Sequence, residues 1–304
     1  MKGLVYKSTG SWYDIADEAG VRYPARVRGR LRLEGSKETN PVAVGDRVEF
    51  TRENNEAIIS EILPRENHML RQSVKKTGHS HVLAANVTQA LLVATVKQPR
   101  TSLGFIDRFL VSAEAYRIPQ LLVFNKRDIL HDSEREEAQA LMALYESLGA
   151  RTFLLSALAD DLAPLLACLV NHTTLIAGHS GVGKSSLLNR LSPHIRQTVG
   201  DISSFSNKGT HTTTFAEMFD LDAHTKIIDT PGVKEWGLVN MTPEELSDYF
   251  PEMRNLRLDC KFGSRCLHKH EPGCAVLRAV DDERIAASRY HSYLSMVEGH
   301  DNRK

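Results

Sequence analysis

Gly178-His179-Ser180-Gly181-Val182-Gly183-Lys184-Ser185 constrains this chain more than any other stretch, because it dictates three elements at once. An apolar run, Thr174-Leu175-Ile176-Ala177-Gly178, precedes it, and a helical pattern, Ser186 to Leu191, follows it. A strand must therefore end in a glycine-rich turn whose backbone N–H groups point inward, and that turn must open a helix. Such a turn cradles phosphate oxygens. Lys184 brings a point charge to the β- and γ-phosphates, and the Ser185 hydroxyl suits Mg²⁺. A chance glycine-rich turn accounts for the glycines alone; it does not account for Lys-Ser opening a helix after a buried strand.

The same alternation of apolar runs and helical periods extends from about residue 69 to 235. Ala90 to Val96, Gln120 to Phe124, Thr152 to Leu155 and Lys226 to Asp229 read as further buried parallel strands. Phe105 to Tyr116, Glu134 to Leu148 and Asp161 to Val170 carry helical periodicity between them. The expected architecture is an α/β sheet with helices on its faces.

Phosphate binding selects no base, but Asn125-Lys126-Arg127-Asp128 follows one of these strands. A carboxylate at Asp128 accepts two hydrogen bonds from the N1–H and N2–H₂ edge of guanine, which adenine lacks, and the wrong base would leave it stranded. Asn125 is expected to brace the loop and touch the base, with the Lys126 stem packed on its ring. Ser156-Ala157 follows the next strand, where a backbone N–H reaches the guanine O6. Asp229-Thr230-Pro231-Gly232 follows another: Asp229 is expected to hold Mg²⁺ through water, and the Gly232 N–H to sense the γ-phosphate. In Gly209-Thr210-His211-Thr212-Thr213-Thr214, Thr213 is the expected last Mg²⁺ ligand, with Thr212 next in line. The position after Gly232 is Val233, where many GTPases place a water-orienting Gln; His211 is the candidate to replace it, or is a loop histidine that meets a partner.

The order along the chain is base recognition, base support, phosphate loop, first switch, second switch, whereas ordinary GTPases begin at the phosphate loop. Termini of sheet domains lie at the surface, so such a circular permutation is sterically allowed. It leads the second switch straight into the C-terminal region, and is expected to leave the N-terminal barrel free at the other end.

Two flanking regions complete the 304 residues. Residues 1 to about 68 hold short alternating segments such as Val27 to Leu33 and Gly45 to Phe50, punctuated at Asn40-Pro41 and Leu63-Pro64, as in a small barrel of OB-fold length. Arg22, Arg26, Arg28, Arg30 and Arg32 crowd there, either as a solvated strand face or as a row aimed at phosphates. Lys plus Arg equals Asp plus Glu at 38 each, so no global basic field steers the molecule to nucleic acid. Residues 236–304 lack strand signals and end in an expected helix, Asp281 to Val297. Cys260-x5-Cys266-x-His268-x5-Cys274 offers three thiolates and an imidazole, a set suited to a closed tetrahedral zinc site, with His270 able to compete with His268. Little else there promises a core, so the metal is expected to supply folding energy. Cys168 stands apart. No signal peptide and no run of about 18 apolar residues is seen, so a cytoplasmic protein without membrane contact is expected.

With these strings in place, the whole chain resembles the RsgA (YjeQ) family of bacterial circularly permuted GTPases, most specifically at Gly178 to Ser186, Gly209 to Thr214, Asp229 to Val233 and His268 to Val276. The resemblance implies an N-terminal OB-fold β-barrel (1–68), a permuted α/β P-loop GTPase domain (69–235) and a C-terminal α-helical zinc-binding domain (236–304). It implies a late assembly factor of the small ribosomal subunit whose GTPase activity the subunit stimulates, working as a monomer. It places the zinc ligands at Cys260, Cys266, His268 and Cys274 and the switch histidine at His211. Ser186 closes the phosphate-loop string. Two departures stand out: five residues, where the family usually has four, separate the first two cysteines, and Thr210 stands where an Arg is common. Within this reading Arg26, Arg28, Arg30 and Arg32 become rRNA contacts. Two other readings compete: an RNA-binding protein that uses GTP as an on/off ligand with negligible turnover, and an ATP-driven phosphotransferase, with which Asp128 conflicts.

Overall fold

The computed structural model describes residues 1–27, 41–53, 56–72, 80–192, 195, 215–230, 236, 238 and 241–299. Arg28, Arg30, Arg32, His211, Thr212, Thr213 and Gly232 lie outside the described residues.

Five strands build the N-terminal barrel: β1 (Lys2–Ser8), β2 (Tyr13–Asp17), β3 (Arg22–Val27), β4 (Arg47–Glu53) and β5 (Glu56–Ile62). They run in the order β1-β2-β3-β5-β4, and β4 returns to β1, so the barrel closes. Alternation dictates which side chains go inside. Val48 and Phe50 of β4, Ala57 and Ile59 of β5, and Tyr23 and Ala25 of β3 meet Val5 and Ile15 in one apolar cluster. Arg22 and Arg26 fall between the buried positions of β3 and face outward. Arg26 lies over the half-exposed Trp12 ring at 3.9 Å and pairs with Glu56 at 3.1 Å.

A hairpin of β6 (His68–Gln72) and β7 (Ser80–Ala85) follows. The α/β sheet comes next, with β8 (Gln89–Ala94), β9 (Gln120–Phe124), β10 (Arg151–Leu154), β11 (Thr173–Gly178), β12 (Glu217–Asp220) and β13 (Lys226–Asp229) in the order β10-β9-β8-β11-β13-β12. All are parallel except β12, which runs antiparallel to β13. Helices α1 (Leu103–Glu114), α2 (Asp132–Ser147), α3 (Ala163–Leu169) and α4 (Lys184–Leu191) cover it. Ala90, Leu92 and Ala94 of β8 enter one apolar cluster while Leu91 and Val93 enter another, which is why the strand reads as an unbroken apolar run.

The barrel is not free of this sheet. β1 pairs antiparallel with β12, Lys7 opposite Glu217, so the two parts form one continuous sheet. Side chains reinforce the joint: Lys7 pairs with Glu217 at 3.2 Å, and Asp220 accepts from the Tyr6 hydroxyl at 2.8 Å and from Arg22 at 3.2 Å. The expected free barrel is corrected here, because β12 offers an open edge that β1 satisfies.

The C-terminal region is helical: α5 (Pro243–Leu246), α6 (Pro251–Arg254), α7 (Ala275–Asp281) and α8 (Ala287–Val297), joined by 3-10 turns. The single helix expected from Asp281 to Val297 is instead a break followed by α8; Glu283 adopts a left-handed φ of 57°, and the Arg284 and Ile285 amides cap back onto Ala279. The region has more core than its sequence promised. Leu246, Phe250, Met253, Val276, Ala279, Ile285, Tyr293 and Met296 pack around Cys260, Cys266 and Cys274. Among the described residues no helix is long and apolar enough to cross a membrane.

Candidate nucleotide site and metal centre

Because β8, β9, β10, β11 and β13 are parallel, their C-terminal ends share one edge, the place where open α/β sheets bind ligands. Asn125 follows β9, Ser156 lies just beyond β10, the phosphate loop leaves β11 and Asp229 ends β13. The fold thus gathers motifs scattered over more than a hundred residues.

Asn125 is the joint between them. Its side-chain amide donates to the Val182 carbonyl in the phosphate loop at 2.8 Å, and its Oδ1 accepts from the Ala157 N–H at 2.8 Å. The approach is tight enough to require glycine next to Val182: a Cβ on Gly183, whose φ is +92°, would lie 2.3 Å from Asn125 Nδ2. Replacing Asn125 by alanine would leave a buried carbonyl and a buried N–H unpaired. We expect a loss of about 2–4 kcal/mol in unfolding free energy, measurable by urea denaturation.

The loop after β10 is fixed by two residues that sequence reasoning did not single out. Asp160 accepts from the Ser156 N–H at 2.8 Å and pairs with Arg127 through two nitrogens, at 3.0 and 2.5 Å. Arg127 and the Ser156 amide hold the Asp160 carboxyl below its ordinary range. Arg190 of α4 donates to the carbonyls of Ala157, Leu158 and Asp160 at 3.3, 2.7 and 3.1 Å. A helix launched by the phosphate loop therefore also carries the base-side loop. Asp128 is exposed, while Lys126, half-buried in a left-handed φ of 67°, donates to the Gln98 carbonyl. Burial lowers the Lys126 ammonium, with Asp128 opposing.

Lys184 is buried and folds onto the β13 end, donating to Asp229 Oδ1 and to the Thr230 carbonyl at 2.5 Å. Burial pushes the Asp229 carboxyl up, and the Lys184 charge pulls it back. Asp229 Oδ2 is buried with no hydrogen-bond partner among the described residues. That orphaned oxygen, with the Ser185 hydroxyl at the start of α4, is a hard-oxygen donor set of the kind Mg²⁺ takes.

In the C-terminal region the ligand atoms of Cys260, Cys266, His268 and Cys274 all lie within 4.8 Å of one another, and all four residues are buried. His268 turns Nδ1 to the sulfurs, 3.6 Å from Cys260 and 3.3 Å from Cys274. Burial pushes the Cys266 thiol up to about 12 and the His268 imidazole down to about 4. Three buried thiols and a neutral imidazole, unlinked by disulfides, fit a structural metal ion. The extra residue between the first two cysteines does not prevent the cluster. His270 is exposed and lies outside the cluster, whereas His268 is part of it. The loop is supported from below. Tyr290 and Tyr293 donate to the carbonyls of His268 and Leu267 at 2.6 and 2.9 Å, and Glu271 collects the N–H groups of Leu267, Lys269 and His270.

Residues 62–239 match the family model described as RsgA GTPase, and residues 2–59 match that of the RsgA N-terminal domain. The chain belongs to the RsgA GTPase family. It is 48% identical over 300 residues to a protein of Bacteroides thetaiotaomicron named small ribosomal subunit biogenesis GTPase RsgA 2, covering 98% of this chain and 96% of the relative. It is 44% identical over 307 residues to the small ribosomal subunit biogenesis GTPase RsgA of Christiangramia forsetii, with 99% and 97% covered. Among solved structures, YjeQ from Thermotoga maritima superposes with a TM-score of 0.76 at 32% identity over 98% of this chain and 97% of that one. YloQ, described as a circularly permuted GTPase, gives 0.72 at 31% identity, with 98% and 94% covered. Family membership accounts for the permuted order, the barrel and the sheet together. It does not by itself assign Asp160 and Arg190, whose signal in the sequence was only an acid and a base near known motifs.

Proposed function

We propose that this protein binds GTP along the shared edge of the parallel strands, hydrolyses it, and serves in the biogenesis of the small ribosomal subunit, as the names of its relatives state of them. The observation that carries the nucleotide reading is the Asn125 junction, which ties base loop, base-support loop and phosphate loop into one unit. In this reading the N–H groups of Gly178 to Ser186 hold the phosphates, Asp128 reads guanine, and Ser156 and Ala157 support it. When Lys184 turns to phosphate, Asp229 is left a buried carboxylate in need of a cation. The same two residues thus serve phosphate and Mg²⁺ together. Thr213 and Ser185 complete the Mg²⁺ ligands, Gly232 senses the γ-phosphate, and His211 orients the attacking water. The bound Mg²⁺ neutralises charge developing on the phosphate oxygens.

The Cys260, Cys266, His268 and Cys274 cluster holds one zinc ion in this reading, and Arg26, Arg28, Arg30 and Arg32 meet rRNA phosphates. The protein acts as a cytoplasmic monomer of three units, 1–68, 69–235 and 236–304. The deciding measurement is multiple-turnover phosphate release from GTP and ATP, with and without small subunits. Stimulation with GTP alone is expected; no stimulation would sink the ribosomal role, and equal use of ATP would sink the base assignment. Asp128→Asn is expected to weaken GTP binding by about 100-fold or more and to admit xanthosine triphosphate, whose C2 carbonyl accepts where guanine donates. Titration of both fluorescent nucleotides checks this.

A further inference from the structure

Helix α1 joins parts of the molecule that neither chain order nor motif content connects. Its N-terminus is capped, with the Ser102 hydroxyl accepting from the Phe105 N–H. On one face the Phe105 ring lies against the His179 imidazole of the phosphate loop, with centroids 3.8 Å apart. One turn later Phe109 meets the edge of buried Trp236, just past the second switch, at 4.9 Å. Asp107, about 200° around the helix from Phe105, faces the other way.

There Asp107 Oδ1 accepts from Arg289 of α8 at 2.6 Å and from the Tyr145 hydroxyl of α2 at 2.9 Å. Arg289 also grips Glu252 of α6 through Nε at 2.7 Å and Nη2 at 3.3 Å, and lies 4.5 Å over the Phe250 ring. Arg289 and Asp107 are both buried. An ion pair taken out of water adds little net stability over apolar packing, yet it tolerates one docking geometry and penalises others. A buried pair of this kind suits a registry role between the metal module and α1.

We propose that Asp107 and Arg289 are positioning residues for the phosphate loop. By locking α8 to α1 in one register they hold Phe105 against His179, so that docking of the metal module sets nucleotide affinity. This rests on reading Gly178 to Ser185 as the phosphate-binding loop, and the test separates the two.

The experiment titrates fluorescent GDP into the full-length, metal-loaded protein carrying Arg289→Met, Phe105→Leu, both changes together, or Lys184→Ala. Either single change at Arg289 or Phe105 is expected to weaken GDP binding about three- to tenfold, the range of one aromatic contact, with metal content unchanged. The double variant is expected to be no weaker than the weaker single, because both act through one contact. Arg289→Lys, which keeps the cation, is expected to restore part of the affinity. A lower melting temperature with unchanged nucleotide affinity, or losses that add in the double variant, would overturn the proposal. If Arg289→Met does not fold, Asp107→Asn, which keeps its volume and a partner for Tyr145, takes its place in the same cycle. Loss of binding in Lys184→Ala alongside a failed cycle sinks this inference alone. Unchanged binding in Lys184→Ala sinks the phosphate-loop assignment itself.

Discussion

Lys184→Ala is expected to lower kcat/KM for GTP by about 10²–10³-fold, the size seen when one preorganised charge or donor is lost from a site where negative charge develops. Two effects combine. The phosphates lose the one ammonium that the loop presents, and Asp229 loses the partner that offsets its burial. Without that ammonium the Asp229 carboxyl is held further up, so protons compete more strongly with Mg²⁺ for it. The signature is a defect that eases as pH rises, since deprotonation restores the carboxylate. Phosphate release measured against Mg²⁺ concentration from pH 6 to 9 checks this. A loss that is the same at every pH and Mg²⁺ concentration would leave only the direct phosphate contact.

Stripping the metal, or replacing Cys274 by Ser, is expected to cost about 5 kcal/mol or more and to lower the melting temperature by about 10 °C or more. Zinc-finger peptides depend on their metal entirely, and this module should depend on it less. Leu246, Phe250, Val276 and Tyr293 give it an apolar core that such peptides lack. The cysteines nevertheless sit inside that core, so their loss opens it rather than fraying an edge. Calorimetry with metal release followed by a chromogenic chelator should show one ion per chain leaving with the lower-temperature transition. If thiol-reactive release occurs with no change in melting, the metal is not structural.

Much of this was legible because parallel strands buried on both faces must be continuously apolar. The apolar runs Gln120 to Phe124 and Lys226 to Asp229 coincide with β9 and β13 residue for residue, and a chance glycine-rich turn does not account for Lys184-Ser185 opening a helix after a buried strand. The cysteine cluster was legible through ligand chemistry, although spacing alone could not choose between His268 and His270. Three things were not legible. β12 carries only four residues with no strong pattern, so neither it nor its pairing with β1 shows in the sequence. The break before α8 depends on the left-handed Glu283, a residue with no preference for that conformation. Asp107, Arg289 and Glu252 show no sign of burial in the sequence, because burial of a charge is decided by a partner far along the chain.

The seam at Lys7 and Glu217 also bears on what survives if the chain is shortened. A protein beginning near residue 62 would keep every nucleotide motif, yet the edge of β12 away from β13 would be left bare, and Asp220 would lose Tyr6 and Arg22. An edge left open in this way is a template for pairing with another chain. The first domain of this chain is thus a sheath as well as a module: it keeps a GTPase sheet from finding the wrong neighbour.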